Sequence, residues 1–494
     1  MTTVLAFDLG ASNGRLVSQV FNGEKIRLQD IHRFSNKPLQ EDGHYYWDFN
    51  YLMKEIVTGI QLAGQQLVGS IDGIGVDTWG VDFGIIDAND QLVSKPFSYR
   101  DTYTVPHMEN ALTKIDAFEL FKMTGNEVSS INTLFQLMAI ENQYPSYLDN
   151  AKHILMTPNL IQFALTGIAQ NEFTIASTSQ LVEKGRMEWH KDILQTFFHK
   201  PLPLSPIQLP HNVIGTISTS MQNSELLGAI PVILTPGHDT ACALSALPIQ
   251  HLDACFMSIG TWTLVGKEVP NPVITLEAFQ EGFTNEGTSE GAYRFQRNGM
   301  GFWILQNLRT EWKHSGREVN YEKEHELLTN MQSNERFIDP DDALFFNPSS
   351  MEEAIQLYCQ KTNQLAPSSQ QEMIQCVIES MALKYAHTIR RMEEMTATQA
   401  NVVYIGGGGI QNEFLCQFIA NATGKRVVAG PIEASAIGNG LSQLRALGEI
   451  ASLEEGREVV SKSFEMLDYH PENDEKWNRA KEQFSTYIKD ERGK

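Results

Sequence analysis

Small and polar residues are concentrated at two tight turns, one near the N-terminus and one near the middle of the chain. The first turn lies in VLAFDLGASNGRLVSQVF, residues 4–21, and the second in CFMSIGTWTLVG, residues 255–266. Each combines glycine with small hydroxyl residues between two β-prone runs, which predicts a β-hairpin. Backbone N–H groups in such a turn can converge on a phosphate. Two such turns, one in each half, indicate a duplicated fold that holds a nucleotide triphosphate from both sides.

Two carboxylates lie where they could take part in phosphoryl transfer. Asp8 ends the first predicted strand and faces the glycine turn, where a carboxylate can hold magnesium beside phosphates. A plain hairpin with an Asn-Gly turn is the structural alternative. Asp239, in GHDTA (237–241), lies between a strand and the start of a helix. This position suits a helix N-cap, and it equally suits a general base that takes a proton from a substrate hydroxyl.

Two further clusters could bind a sugar and a nucleoside. Trp79 and Gly80, flanked by Asp77 and Asp82, offer a ring for stacking and carboxylates for hydroxyls, as in a polyol site. A strand pair with a buried tryptophan explains them as well. Four glycines in GGGGIQN, 406–412, follow the strand VVYI and allow a ligand to approach the backbone closely. They fit an adenosine cradle, or a tight turn required by helix packing.

Neighbouring polar residues extend the possible sugar site. His238 and Thr240 flank Asp239 and could bind hydroxyls. Asn298, in RNGMGFWILQ, precedes an apolar run that predicts a helix, so it could bind sugar or act as an N-cap. The chain contains no G-x-x-x-x-G-K-[ST] motif, which excludes a P-loop, and the 406–409 glycines do not match the dinucleotide-binding fingerprint.

The elements that must position these residues alternate between strand and helix. Residues 230–247 predict a buried strand, a Pro-Gly turn and a small-residue helix. In the second half we expect helices over 369–395, 412–423 and 434–447 and a strand over 402–409. A chain of 494 residues is too long for one ordinary core. We therefore expect an N-terminal domain over 1–248, a C-terminal domain over 249–450 and a helical appendage over 451–494.

Composition narrows the class of partner. The net charge of −22 opposes binding to nucleic acid or to an anionic membrane, because both require a basic face. No apolar run approaches the length of a membrane span, and a first strand at Val4 leaves no room for a signal peptide, so we expect a cytoplasmic protein. The five cysteines form no C-x-x-C pair, which disfavours zinc and indicates reduced thiols.

Taken together, these motifs resemble the FGGY family of carbohydrate kinases over about residues 4–450. The most specific strings are DLGASNGR, GVDTWGVDFGIID followed by YRD, GHDTA, NGMGFWILQ and GGGIQNEF…ATGKRVVAGPIEASAIGN. The resemblance implies an α/β fold of two actin-like, ribonuclease H-like domains with a catalytic cleft between them. It also implies that the γ-phosphoryl group of ATP is transferred, with magnesium, to O1 of L-rhamnulose in L-rhamnose degradation.

The resemblance assigns roles to individual residues, with Asp239 as the catalytic base. The implied ATP-binding residues are Ala11, Ser12, Asn13, Gly14, Arg15, Thr261, Gln306 and Gly408. The implied sugar-binding residues are Gly80, His238, Asp239, Thr240 and Asn298. Some members that look similar around Cys359 and Cys376 are assigned a disulfide at this pair, whereas a reducing compartment favours two free thiols.

Three other functions stay open at this point. A sister member of the family acting on L-fuculose, xylulose or another polyol would share the fold and the ATP site. An actin-like ATPase would need a peptide-binding domain or a polymer interface, and no segment indicates one. A sugar sensor without catalysis is disfavoured by the presence of both Asp8 and Asp239. We expect a ketose and ATP as ligands, no nucleic-acid or membrane partner, and an oligomeric state that the sequence leaves open, a monomer included.

Overall fold

The computed structural model of the chain describes residues 1–217, 230–250, 253–329, 335–472 and 474–488. The strands are β1 (Thr2–Leu9), β2 (Asn13–Phe21), β3 (Ile26–Ser35), β4 (Leu39–Glu41), β5 (His44–Tyr46), β6 (Gly73–Thr78), β7 (Phe83–Asp87), β8 (Ala151–Met156), β9 (Asn171–Glu172), β10 (Ile207–Gln208), β11 (Asn212–Thr216), β12 (Pro231–Leu234), β13 (Ala254–Ile259), β14 (Trp262–Val269), β15 (Phe283–Gly287), β16 (Tyr293–Met300), β17 (Val402–Gly406), β18 (Arg426–Ala429) and β19 (Leu467–Tyr469).

Helices separate most of these strands. They are α1 (Phe49–Gln66), α2 (Val105–Lys114), α3 (Ala117–Thr124), α4 (Thr133–Gln143), α5 (Pro145–Asp149), α6 (Thr157–Thr166), α7 (Phe173–Ala176), α8 (Lys191–Phe197), α9 (Asp239–Ala246), α10 (Leu276–Gln280), α11 (Trp303–His314), α12 (Tyr321–Thr329), α13 (Met351–Lys361), α14 (Gln370–Thr396), α15 (Glu413–Thr423), α16 (Ala434–Ala446), α17 (Leu453–Ser463) and α18 (Asp474–Ser485). Within the described ranges, no helix combines the length and apolar character that crossing a bilayer requires.

Two large mixed sheets, one from each half of the chain, repeat the same arrangement. The order is β11-β12-β6-β1-β2-β3 in the N-terminal sheet and β15-β16-β14-β13-β17-β18-β19 in the C-terminal sheet. In the first, β1 pairs antiparallel with β2 and parallel with β6. In the second, β13 pairs antiparallel with β14 and parallel with β17. The two predicted hairpins are therefore equivalent elements of a duplicated fold.

Packing requires a glycine at position 14, Gly14, in the first hairpin. It pairs with Leu9 across the β1–β2 turn. A Cβ atom there would lie 2.4 Å from the ring of Phe34, which is buried in the core beneath the sheet. A methyl group at this distance cannot be accommodated without moving the ring. The role that the resemblance assigns to Gly14, contact with phosphate, comes in addition to this packing requirement.

Helix α16 comes from the second half of the chain but packs on the first sheet. It lies against β1 and β6 and crosses α9. At the crossing, a Cβ on Gly438 would be only 1.8 Å from the carbonyl oxygen of Cys242. Asn439 Nδ2 donates to Asp77 Oδ2 at 2.6 Å, and Gln443 Nε2 donates to the carbonyl of Leu5 at 2.9 Å. The two halves are thus joined by a close helix crossing and a buried polar seam.

The segment after residue 450, which we expected to be a helical appendage, does more than cover the surface. Strand β19 pairs antiparallel with β18 and forms the edge of the C-terminal sheet. Trp477 and Phe484, on α18, are buried in the core of that half. The expected domain boundary near Pro248 falls between α9 and β13, where the strands of one sheet end and those of the other begin. The division itself stays a prediction.

The disulfide between Cys359 and Cys376 is not formed in the structure. All five cysteines are buried free thiols. The thiols of Cys359 and Cys376 share a hydrogen bond, which lowers the pKa of Cys359 and raises that of Cys376. Burial of this kind keeps a thiol inert.

We expect thiol titration of the denatured protein, under non-reducing conditions, to find all five cysteines free. The physical reason is that each thiol is buried away from oxidants until the chain unfolds. A fully reduced sample provides the reference value. A titre two thiols lower, restored by reductant, would show that the Cys359–Cys376 bridge forms after all.

Candidate active site

All five residues predicted to bind sugar line a single cavity of about 450 Å³. They are Gly80, His238, Asp239, Thr240 and Asn298. One wall comes from the N-terminal half, where Tyr99 and Asn126 lie, and the opposite wall comes from the C-terminal half, where Trp262 and Glu286 lie. The cavity is therefore a cleft between the two halves. Its polar groups and exposed ring are those of a site for a polyhydroxylated ligand.

The start of α9 places three polar residues at this cleft. His238 is the N-cap, since its Nδ1 accepts from the backbone N–H of Thr240 at 3.0 Å. Asp239 is the first residue of the helix, so the N-cap role considered for it is wrong. Its Oδ1 accepts from the backbone N–H of Thr240 at 2.6 Å and from the Thr240 hydroxyl at 3.1 Å, and it lies 3.0 Å from His238 Nδ1.

The surroundings of Asp239 favour its ionised form. Burial raises its pKa, but the neighbouring imidazole of His238 and the hydrogen bonds from Thr240 outweigh burial and hold the pKa below its ordinary value. Every hydrogen bond that it accepts in the described part of the chain ends on Oδ1. The second oxygen, Oδ2, is left for a ligand. This arrangement can accept a proton from a hydroxyl bound in the cleft.

Asn298 reaches the cleft from a strand. It lies in β16, opposite Leu264 of β14. The N-cap of the following helix, α11, is Phe302, so the N-cap role considered for Asn298 is wrong. Leu264 and Trp262 line the same cavity from alternate positions of β14, as residues two apart on a strand do. The Trp262 ring is 52% exposed, which is high for a tryptophan in a cleft.

The acids around Trp79 have structural roles. Asp82 is fully buried, and its Oδ2 accepts from the indole N–H groups of Trp47, at 2.6 Å, and Trp79, at 2.9 Å. Burial raises the pKa of Asp82 to about 6. Asp77 accepts from Asn439 in the interior. The expectation that these carboxylates bind sugar hydroxyls is therefore wrong, because both are fully buried and lie outside the cavity wall.

A second cavity, of about 380 Å³, brings together three residues predicted to bind ATP: Thr261, Gln306 and Gly408. The Thr261 hydroxyl, in the turn of the second hairpin, donates to Gln306 Oε1 of α11 at 3.3 Å. Gly408 begins a short 3₁₀ helix, and a Cβ there would meet no atom within 4 Å, so its backbone borders open space. Gly407 before it has a φ of 84°, a conformation that favours glycine. The sharp turn lets a planar ligand approach the backbone.

The models of two domains of one protein family match most of the chain. The N-terminal domain of the FGGY family of carbohydrate kinases matches residues 3–245, and its C-terminal domain matches residues 255–447.

The chain belongs to the FGGY family of carbohydrate kinases.

Three full-length relatives of this FGGY kinase carry the name rhamnulokinase. The rhamnulokinase of Bacteroides thetaiotaomicron is 36% identical over 487 residues, which cover 98% of this chain and 99% of the relative. The rhamnulokinase of Oceanobacillus iheyensis is 36% identical over 94% of this chain and 97% of the relative. The rhamnulokinase of Halalkalibacterium halodurans is 36% identical over 95% of this chain and 99% of the relative.

Solved structures establish the fold of the FGGY kinase. A ligand-bound xylulose kinase from Lactobacillus acidophilus superposes with a TM-score of 0.80 at 16% identity, covering 99% of this chain and 97% of that one. Plasmodium falciparum glycerol kinase with ADP gives 0.81 at 14% identity, covering 98% and 97%. These similarities confirm the α/β fold with two actin-like domains.

The first hairpin of the FGGY kinase carries a charged network. Its turn, Ala11 to Asn13, is closed by the N–H of Gly10, which donates to the carbonyl of Asn13 at 2.8 Å. Arg15 faces Asp8 on the neighbouring strand, and its Nη2 donates to Asp8 Oδ2 at 2.6 Å. Its Nη1 forms an ion pair with Glu433, just before α16. The residues from Ala11 to Arg15 lie outside the walls of both cavities, and their contact with phosphate stays a prediction.

Sequence reasoning missed the contribution of the C-terminal sheet to the sugar cleft. Glu286 of β15 lines the cavity and faces Arg294 of β16 across the strand pair. Neither residue lies in a motif, and only the register of the two strands brings them together. Asn126, in the turn after α3, was missed because its partners, the carbonyls of Ser177 and Asn285, are distant in the chain. The only signal in the sequence was the presence of an acidic residue, Glu286, and a basic residue, Arg294, in two consecutive strands.

Proposed function

We propose that this FGGY kinase is a rhamnulokinase, which transfers the γ-phosphoryl group of ATP to O1 of L-rhamnulose and forms L-rhamnulose 1-phosphate and ADP. The observation that carries the proposal is full-length similarity to three relatives named rhamnulokinase, in a chain whose Asp239 borders a polar cleft. The reaction would serve L-rhamnose degradation. We place it in the cytoplasm, where ATP is supplied and five free thiols stay reduced.

Asp239 supplies the general base in this mechanism. Oδ2 takes the proton of the O1 hydroxyl as that oxygen attacks the γ-phosphorus, and the bond from phosphorus to the β,γ-bridging oxygen breaks. His238 and Thr240 hold the carboxylate in place through Oδ1. Positioning of this kind is most of what a kinase must provide, because the transfer itself needs little covalent chemistry from the protein.

Magnesium is the metal implied by ATP chemistry, and two carboxylates paired on neighbouring strands, Asp8 of β1 and Asp77 of β6, suit it. Burial raises the pKa of Asp8 and of Asp77, and neighbouring carboxylates, Asp239 among them, raise it further. Asp77 Oδ1 is buried and accepts no hydrogen bond within the described ranges. Carboxylate oxygens are preferred ligands of magnesium, so we propose that Asp8 holds it with Asp77 nearby. When bound, the cation neutralises charge on the transferred phosphoryl group.

The described residues contain no ready-made group of three or more metal ligands. Magnesium keeps several waters and takes substrate phosphates as ligands, so one or two protein carboxylates would be enough to hold it. Asp8 accepts from Arg15 through Oδ2, so Oδ1 is the oxygen that would be available to hold the cation.

A sister sugar kinase is the second candidate function, because the fold neighbours include xylulose and glycerol kinases. An ADP-release assay over a panel of ketoses and polyols separates the two. We expect the highest kcat/KM with L-rhamnulose, lower values with L-fuculose and L-xylulose, and the lowest with glycerol. A site built to hydrogen-bond each hydroxyl loses strongly when one is absent or inverted. A higher kcat/KM with D-xylulose or glycerol would move the assignment to a sister kinase.

We expect the two halves to close on ligand. The cleft has walls from both halves, and Trp262 on one wall is half exposed. Closure would cover that ring and exclude water from the phosphoryl group. Small-angle scattering should show a smaller radius of gyration with L-rhamnulose and a non-hydrolysable ATP analogue than without them. Mannitol with the same analogue is the control, and an unchanged radius with both ligands would contradict closure.

A further inference from the structure

Glu286 brings a carboxylate to the sugar cleft from the half of the chain opposite to Asp239. It lies in β15, is 9% exposed and lines the cavity. Burying a carboxylate is costly unless a cation and hydrogen bonds compensate it. The position of Glu286 therefore requires an explanation, and the structure supplies one in its neighbours.

Two buried side chains hold Glu286 by one oxygen only. Arg294 Nη2 donates to Oε2 at 2.6 Å, and Gln296 Nε2 donates to the same oxygen at 3.0 Å. Arg294 is fully buried, and Gln296 is nearly so. Both come from β16, the neighbouring strand, so the sheet fixes their positions. No side chain or backbone group in the described ranges donates to Oε1.

His238 separates Glu286 from the catalytic base. Its Nδ1 lies 3.0 Å from Asp239 Oδ1, whereas its Nε2 lies 3.9 Å from Glu286 Oε2. The imidazole ring therefore stands between the two carboxylates. Asp239 and Glu286 therefore meet the same cavity from different sides of the His238 ring, each with one oxygen that accepts no hydrogen bond in the described ranges.

We propose that Glu286 is a specificity-determining residue of the sugar site, whose Oε1 accepts a hydrogen bond from a ketose hydroxyl other than the one phosphorylated. An ionised carboxylate only accepts hydrogen bonds, and a charge-assisted bond is about twice as strong as a neutral one. Arg294 and Gln296 keep the acceptor aligned before the sugar arrives. This inference rests on the proposed sugar kinase activity and names one group by which the site recognises its substrate.

The test compares Glu286→Gln with the native protein. The amide keeps the volume and an oxygen for Arg294, but it offers the cleft an N–H donor instead of an acceptor. We expect the KM for the ketose to rise at least ~10-fold and the KM for ATP to stay within about twofold, as loss of one hydrogen bond to a charged group predicts. Glu268→Gln is the matched control. It also changes an acid paired with a buried arginine, Arg457, on the same sheet but outside the cavity wall, and it should leave both KM values unchanged.

Analogues of the ketose that each lack one hydroxyl separate recognition from a structural role. With the native protein, the analogue lacking the recognised hydroxyl should lose at least ~10-fold in kcat/KM. With the Glu286→Gln variant, removing that same hydroxyl should lower kcat/KM only slightly, because the hydrogen bond to it is already lost. The proposal would be overturned if the effects of the variant and of the missing hydroxyl on kcat/KM were additive for every analogue. It would also be overturned if the KM for ATP rose as much as the KM for the ketose.

The choice of ketose and a second variant of Glu286 complete the test. The measurements use whichever ketose gives the highest kcat/KM in the substrate panel, so failure of L-rhamnulose refutes the proposed function and leaves the test of Glu286 intact. If Glu286→Gln does not fold, Arg294 is left as a buried charge without its partner. The double variant Glu286→Gln/Arg294→Met removes that charge. The same loss of discrimination at one hydroxyl is expected of that variant, and retained discrimination would overturn the proposal.

Discussion

Replacing Asp239 by asparagine should lower kcat at least ~10²-fold, the usual scale of general base catalysis. The amide oxygen can still accept from the backbone and hydroxyl of Thr240, so the start of α9 keeps its geometry. What disappears is the ability to take the O1 proton. Steady-state ADP release at saturating L-rhamnulose and ATP measures the effect, and circular dichroism confirms that the variant is folded.

Asp116→Asn provides the matched control for this prediction. Asp116 also stands at a helix start, where it accepts from the backbone N–H groups of Phe118 and Glu119, but it lies outside both cavities. Its replacement should leave kcat unchanged. A folded Asp239→Asn variant with near-native kcat would refute the role of Asp239 as the base.

Replacing Gly438 by alanine should lower the free energy of unfolding by on the order of 3 kcal/mol, at the upper end of the range for overpacking. The added methyl would meet the backbone of Cys242, at 1.8 Å from its carbonyl oxygen. A backbone atom within α9 cannot rotate away as a side chain can. The helices must separate instead, which also loosens the buried seam to the N-terminal sheet. The midpoint of urea denaturation measures the change.

Gly64→Ala is the control for the crossing. Gly64 lies within α1, and a Cβ there would meet no atom within 4 Å. Alanine in a helix is favoured over glycine by up to ~1 kcal/mol, so this variant should be as stable as the native protein or slightly more stable. An unchanged urea midpoint for Gly438→Ala would show that α9 and α16 are less tightly packed than the structure indicates.

Features that depend on neighbouring residues in the chain were predictable from the sequence. Both glycine hairpins, the helix start at Asp239 and the long helix α14 follow from local patterns of glycine, polar and apolar residues. The predicted sugar-binding residues also meet in one cavity, because their motifs end strands or begin helices at the same edge of the fold.

Features that depend on distant partners were not predictable. Asp82 lies in a sugar-kinase motif, but its partners Trp47 and Gln136 are about 35 and 54 positions away, and only folding reveals that they saturate its carboxylate. The pairing of Glu286 with Arg294 depends on strand register, which shifts every side chain to the other face when it slips by one residue. Strand β19 was missed because three residues carry too short a pattern to identify.

We expect the crossing of α9 and α16, where a helix from each half of the chain meets, to be the pivot about which the cleft closes. Asp239 lies three residues before Cys242, a lever arm of about 4.5 Å along the helix axis. A rotation of roughly 15° about the crossing would shift the carboxylate by only about 1 Å, whereas a point 30 Å away would swing by about 8 Å. With this pivot, the outer edges of the two halves would travel far while the base hardly moves relative to the crossing. Ligands can enter and leave an open cleft without the catalytic group having to be rebuilt at each turnover.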